Sequence, residues 1–147
     1  VLPKLTKVYG DRYKGYTLKQ LCQEMHNYYR GNKTFTLQQE LFAKPNMQNY
    51  PMTPEHADYL FMKNESELVN LDDVKGRIAA EGALPYPPGV FIVAPGEKWS
   101  DIDQKYFEVL VGAIERFPGF VPEIQGVYWD QKADGKIRVQ AEVLKEN

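Results

Sequence analysis

Between Gly76 and Gly96 the chain carries four prolines (Pro85, Pro87, Pro88, Pro95) and four glycines (Gly76, Gly82, Gly89, Gly96). Proline fixes one backbone dihedral and gives up its N–H, while glycine reaches conformations closed to other residues. A stretch so rich in both is a shaped backbone path and not a regular element. Whatever else this chain builds must be arranged before and after that path. Inside it, Val90-Phe91-Ile92-Val93-Ala94 is a short apolar run between breakers and reads as a buried strand.

On the N-terminal side the signals are helical. Thr17-Leu18-Lys19-Gln20 has the form of a capping box, and Leu18, Leu21, Cys22, Met25, Tyr28 and Tyr29 follow at helical spacing, with Gly31-Asn32 as the stop. Thr36-Leu37-Gln38-Gln39 opens a short helix carrying Leu37, Leu41 and Phe42, ended by Pro45. Asn46, Asn49 and Pro51 read as a loop. Thr53-Pro54-Glu55 starts a third helix whose Ala57, Leu60 and Phe61 face inward. Asn64 to Gly76 reads as polar and turn-rich, anchored by Leu68, Val69 and Leu71.

On the C-terminal side, Ser100-Asp101-Ile102-Asp103 caps the strongest helix of the sequence. Ile102, Tyr106, Val109, Leu110, Ala113, Ile114 and Phe117 form its apolar stripe, and Pro118-Gly119 ends it. A hairpin follows. Ile124 to Trp129 is one arm and Asp134-Gly135 the turn. The other arm alternates, with Ile137, Val139, Ala141 and Val143 against Arg138, Gln140 and Glu142. Helices first and strands late give an α+β fold. The 147 residues fit one compact domain with one core, spanning 1–147.

Several function classes fall away. A net charge of −2 provides no basic field for nucleic acid or an anionic membrane. No run approaches the roughly 20 apolar residues of a membrane span. The start, Val1-Leu2-Pro3-Lys4, has neither an apolar signal run nor an initiator Met, so the chain is expected to begin inside a longer protein. One cysteine, Cys22, fits a reducing, cytoplasmic setting, and its helical neighbours make it a core thiol. His26 and His56 lie far apart with no zinc-ligand spacing, and both read as structural or solvent-facing. Cys22 and His26 stand one helical turn apart on an expected core face, a poor setting for a catalytic dyad. There is no nucleophile elbow, no phosphate-binding glycine fingerprint and no Ser-x-His-Lys setting for pyridoxal phosphate. Catalysis by this chain alone is not expected.

Acids and one tyrosine around the Pro/Gly path remain. Glu97, Asp101 and Asp103 read as solvated or capping groups. Arg77 and Glu81 lie among small and apolar residues, where charges pair with each other or reach a neighbouring domain. Pro85-Tyr86-Pro87-Pro88-Gly89 is a rigid turn that positions the next strand, a wall presenting Tyr86 to a cleft, or both.

Taken together, the string from Gly76-Arg77-Ile78-Ala79-Ala80-Glu81 through Gly82-Ala83-Leu84-Pro85-Tyr86-Pro87-Pro88-Gly89-Val90, with Pro95-Gly96-Glu97, resembles the C-terminal domain of the bacterial ornithine/lysine/arginine decarboxylases. Tyr16-Thr17-Leu18, Leu21-Cys22-Gln23-Glu24-Met25-His26, Pro118-Gly119-Phe120, Pro122-Glu123 and Gln125-Gly126-Val127-Tyr128 resemble the ornithine enzymes in particular. The resemblance implies a parent that converts L-ornithine to putrescine and carbon dioxide, in polyamine biosynthesis or acid response, with pyridoxal phosphate as electron sink. The cofactor would be bound outside this chain. It further implies a domain packed on the pyridoxal-phosphate domain of the same polypeptide near the active-site mouth, in a homodimer or larger homo-oligomer. Arg77, Glu81 and Tyr86 are the substrate-proximal candidates. The alternatives are the corresponding domain of a lysine or arginine decarboxylase, or a non-enzymatic assembly or regulator-binding module. A domain that packs on a larger one is also expected to expose an apolar patch.

Overall fold

The computed structural model describes residues 2–46, 50–132 and 136–146. Its helices are α1 Leu2–Tyr9, α2 Leu18–Gly31, α3 Thr34–Leu41, α4 Pro54–Met62 and α5 Asp101–Arg116. Its strands are β1 Ser66–Asn70, β2 Leu84–Tyr86, β3 Glu123–Gln125, β4 Val127–Gln131 and β5 Ile137–Leu144. The class is α+β. No described helix is long and apolar enough to cross a membrane.

Local chemistry explains the best-formed helices. Thr17 accepts the Gln20 amide while the Gln20 side chain accepts from the Thr17 amide, the reciprocal box expected for α2. Ser100 and Asp103 do the same for α5, and Thr53 caps α4 with Pro54 at the first helical position. Helix α3 departs from expectation. It starts at Thr34, two residues before the anticipated cap at Thr36, because Lys33 takes a left-handed conformation (φ 52°). That tight turn lets the Thr34 hydroxyl donate to the Tyr29 carbonyl at the end of α2. Helix α1 and the 3-10 turn Gly10–Tyr13 have no counterpart in the sequence reading.

Helix α5 is the shared strut. One face carries Phe107, Leu110 and Val111 into the main core with Trp99, Val93, Val139, Ala141 and Val143. Ala113, followed by Phe117, enters a second core with Tyr13 and Leu21, against which Tyr28 and Phe120 pack. Tyr13 donates to the Pro118 carbonyl at 2.8 Å, and Tyr28 to the Val109 carbonyl at 2.9 Å. Arg12 reaches the Arg116 carbonyl at 3.0 Å and Glu24 at 3.1 Å. The helical layer is therefore tied to α5 by buried rings and by polar contacts at both rims.

The thiol of Cys22 is exposed, not buried. Of the expected α2 face only Leu21 is fully buried, and Leu18 is also exposed. The face that α2 turns to α5 is centred on Leu21, Met25 and Tyr28, a narrower stripe than the sequence spacing suggested.

The three-stranded sheet has the order β1-β5-β4, all antiparallel. The alternation expected of the last strand holds: Val139, Ala141 and Val143 are buried between less buried neighbours. The expected turn at Asp134-Gly135 and the loop residue Asn49 lie outside the described residues. The first arm of the hairpin is not one strand. It breaks at Gly126 (φ 72°), so that β4 pairs with β5 while β3 turns away to pair with β2. A side chain at Gly126 would begin 2.0 Å from the Gly82 carbonyl oxygen, a contact that requires glycine there. β1 also went unforeseen, because its outward pattern, with Leu68 exposed, offers little alternation to read.

The Pro/Gly path lies along this frame. Ala79 bridges Val143, Ile78 bridges Lys98 and Ala83 bridges Val93. The Ala80 amide donates to the Glu142 carbonyl and the Leu144 amide to Ile78, so the path continues the ladder on β5 beyond the point where β4 ends. The buried strand expected at Val90–Ala94 is absent. Val90 and Phe91 are exposed, and only Val93 is fully buried, held by the single bridge to Ala83. The true strand of this region is β2.

Candidate functional site

Arg77, Glu81 and Tyr86 sit on the same path but in three different environments. Arg77 is mostly buried, its side chain 16% exposed. Its Nη2 donates to Glu67 Oε1 at 2.6 Å and to the Leu144 carbonyl at 2.9 Å, and its Nε lies 3.4 Å from Glu146 Oε1. These contacts tie β1 to the end of β5. Arg77 does not pair with Glu81, one of the two arrangements left open by the sequence. Its charge is answered within the domain by residues ten and 69 positions away.

Glu81 is half-buried and accepts a hydrogen bond through Oε2 from the Tyr128 hydroxyl on β4. That bond is the largest of the causes that push the Tyr128 phenol up to about 12, ahead of burial and of the charges of Glu81 and Glu142. No ion pair of Glu81, Glu123 or Glu142 is found among the described residues. The sequence singled out Glu81 but missed Tyr128, which lies 47 positions away and becomes its neighbour only through the β4–β5 pairing.

Tyr86 ends β2, half-exposed at 52%. The loop behind it closes on itself, with the Gly89 amide donating to the Pro85 carbonyl at 3.1 Å. The Tyr86–Pro87 and Pro87–Pro88 peptide bonds are cis. The Tyr86 ring lies over Gly89, where a β-carbon would stand 3.1 Å from it. Phe91, half-exposed at 50%, lays its ring over Gly82, where a β-carbon would stand 2.3 Å from a ring carbon. Phe91 was read as core, and its place at this edge follows from the missing side chain of Gly82.

The flanking acids behave as caps and pairs. Asp103 accepts the Ser100 amide at 2.7 Å, Asp101 pairs with Lys75 at 2.7 Å, and Glu97 accepts the Ala94 amide at 2.9 Å. Burial raises the carboxyl of Glu97 above its ordinary range, and the nearby Asp103 charge adds to the effect; burial raises Asp103 as well. His56 stacks on Tyr59. No group of three potential metal ligands occurs among the described residues.

A cofactor held through a lysine needs that lysine in a shielded pocket with an acid and a phosphate cup. Here every lysine except Lys98 is exposed, and Lys98 is only partly buried. The lysines do not fit that requirement, and no catalytic step through pyridoxal phosphate is assigned to this chain.

The family described as Orn/Lys/Arg decarboxylase, C-terminal domain, matches residues 35–145. The inducible ornithine decarboxylase of Lactobacillus sp. (strain 30a) is 52% identical over 134 residues, which cover 91% of this chain and 18% of that protein. The ornithine decarboxylase of Haemophilus influenzae is 51% identical over 144 residues, covering 98% of this chain and 20% of its own. Among solved structures, the constitutive lysine decarboxylase of E. coli superposes with a TM-score of 0.82 at 30% identity, over 98% of this chain and 20% of that one. The chain thus spans about a fifth of the length of the relatives it matches.

Proposed function

This chain belongs to the family of Orn/Lys/Arg decarboxylase C-terminal domains, and on that premise we propose that it completes a cytoplasmic, pyridoxal-phosphate-dependent ornithine decarboxylase without being catalytic itself. The parent removes the α-carboxylate of L-ornithine as carbon dioxide and leaves putrescine. Ornithine is favoured over lysine because the ornithine enzymes stand at about half identity and the solved lysine enzyme at 30%. The cofactor supplies the electron sink and is held by the larger part of the polypeptide, in a homodimer or larger homo-oligomer.

The observation that carries the reading is the Pro85–Gly89 loop. Most of its backbone freedom is removed by proline and by its own closure, and it holds Tyr86 outward. A rigid edge of this kind can bound a site that other residues build, excluding water and fixing the outline of the substrate channel. Tyr86 is its outward group, and the half-buried Glu81 lies four residues before the loop. Arg77 acts through the frame, by holding the ends of β1 and β5 where the path begins.

Three measurements test this. The purified chain mixed with pyridoxal phosphate should develop no lysine-linked absorbance band and turn over no ornithine; the appearance of either would place the site here. In the full-length enzyme, Tyr86→Ala and Glu81→Gln should lower kcat/KM for ornithine with assembly intact. Unchanged kcat and KM for both would remove these residues from the site. Arg77→Lys should lower the melting temperature before it alters KM.

A further inference from the structure

Tyr86, Val90, Phe91, Val121 and Tyr128 are all about half-exposed. Short links along the backbone join them. Val90 follows Gly89, over which the Tyr86 ring lies, and the next residue, Phe91, covers Gly82. Gly82 adjoins Glu81, which holds the Tyr128 hydroxyl. Tyr86 faces Glu123 across the β2–β3 ladder, with Val121 just before it. The backbone beneath is fixed by the Gly82–Gly126 contact and by the bridges to β5 and Val93. An apolar, aromatic surface on a rigid frame is the composition of an interface centre.

Its polar content points to the chemistry of the occupant. One oxygen of Glu81 is engaged by Tyr128, and the other meets no donor among the described residues. Glu142 lies close enough to raise the Tyr128 phenol together with Glu81. With no lysine or arginine pairing with either acid among the described residues, covering this face would desolvate a carboxylate at a cost of a few kcal/mol unless the occupant brings a cation.

We infer that this face docks the domain on the larger remainder of its own polypeptide, and that Glu81, oriented by Tyr128, receives there a lysine or arginine side chain of that remainder. The occupant is argued from two facts. About four-fifths of each relative lies outside the matched segment, and the face is complementary to an apolar surface with one positive charge at its rim. The inference rests on the reading of this chain as one domain of a decarboxylase.

The test uses the full-length protein. Nitration should spare Tyr86 and Tyr128 while modifying Tyr59, an exposed ring on α4. Carbodiimide labelling should modify Glu81 about tenfold more slowly than the exposed Glu55, as a close interfacial charge pair requires. Glu81→Gln and Tyr128→Phe should each speed amide exchange across residues 81–91 by about fivefold, and the double variant should do little more, because one hydrogen bond and one ion pair act as a unit. Nitration of Tyr86 and Tyr128 as fast as Tyr59 overturns the docking face, whatever the ornithine turnover shows. Protected tyrosines with Glu81 labelled as fast as Glu55, and exchange unchanged in Glu81→Gln, overturn the cation while the face stands. Protection that disappears when the protein is diluted to a monomer overturns the occupant in favour of a second copy. Absence of ornithine turnover with every protection intact overturns the enzymatic reading and leaves the interface in place.

Discussion

Helix α5 and the path from Gly76 to Gly96 adjoin each other in the chain and acquire their shapes in opposite ways. The helix is specified locally. Its cap, its first-turn acids and its apolar stripe all lie within the segment they shape. The path has one short strand, β2, and a few internal bonds, and it is fastened to the rest of the fold by β5 at Ala79, by Lys98 at Ile78 and by the turn at Gly126. The helix keeps its large side chains inside, whereas the path turns Tyr86, Val90 and Phe91 outward. Stability is therefore concentrated in the first region and surface chemistry in the second.

The contrast can be broken most forcefully at Phe107, which is fully buried with its ring 5.5 Å from that of Trp99. Phe107→Ala should cost about 4 kcal/mol of unfolding free energy, measured by urea denaturation. A loss below about 1 kcal/mol would mean that α5 is not the centre of the core. Next comes Gly126→Ala, which combines a left-handed backbone with a clash against the Gly82 carbonyl. It should cost about 2–3 kcal/mol, and retained stability would show that the path is not fixed through that contact. Ser100→Ala removes the cap of α5 and should cost about 1 kcal/mol by the same assay.

A subtler change is read as a slope against pH. Folding raises the carboxyls of Glu97 and Asp103, so the folded state holds these protons more tightly than the unfolded chain. Their contribution is complete below the unfolded values and is lost as pH rises through the raised ones. Glu24, Asp101 and Asp130 are lowered, chiefly by bonds from Tyr16, Lys75 and Arg138, and work in the opposite direction. Those three are common to wild type and variant. Glu97→Gln should therefore lose less stability than wild type as pH rises above the ordinary carboxylate range, and identical pH profiles would contradict the assigned burial. Smallest of all should be Tyr86→Ala, below about 0.5 kcal/mol in the stability of this domain, since the ring packs mainly on its own loop. A larger loss would make Tyr86 a core residue and erase the contrast.

The same contrast explains what could be read without coordinates. The boxes at Thr17 and Ser100, the cap at Thr53 and the alternation of β5 are short-range patterns and appear as expected. Val90–Ala94 misled because an apolar run between breakers implies burial, while the open surface of Gly82 draws the Phe91 ring onto the exterior. The split between β3 and β4 has its cause at Gly82, 44 positions upstream of Gly126. Arg77 and Glu81 stood out by their apolar surroundings. Their partners, Glu67 and Glu146 for one and Tyr128 for the other, are set by strand pairing that no local pattern encodes.

The ties between α5 and the helical layer also set an order of events during synthesis. Tyr13, Arg12 and Tyr28 find their partners at Pro118, Arg116 and Val109, 81 to 105 positions later. When the first three helices leave the ribosome, the surface that will cover Leu21 has not yet been made. These helices must wait, apolar side outward, until about 70 further residues have been translated, a delay of several seconds at 5–20 residues per second. The N-terminal third of the domain thus emerges with its apolar side uncovered, although in the finished fold it is anchored at both rims of α5.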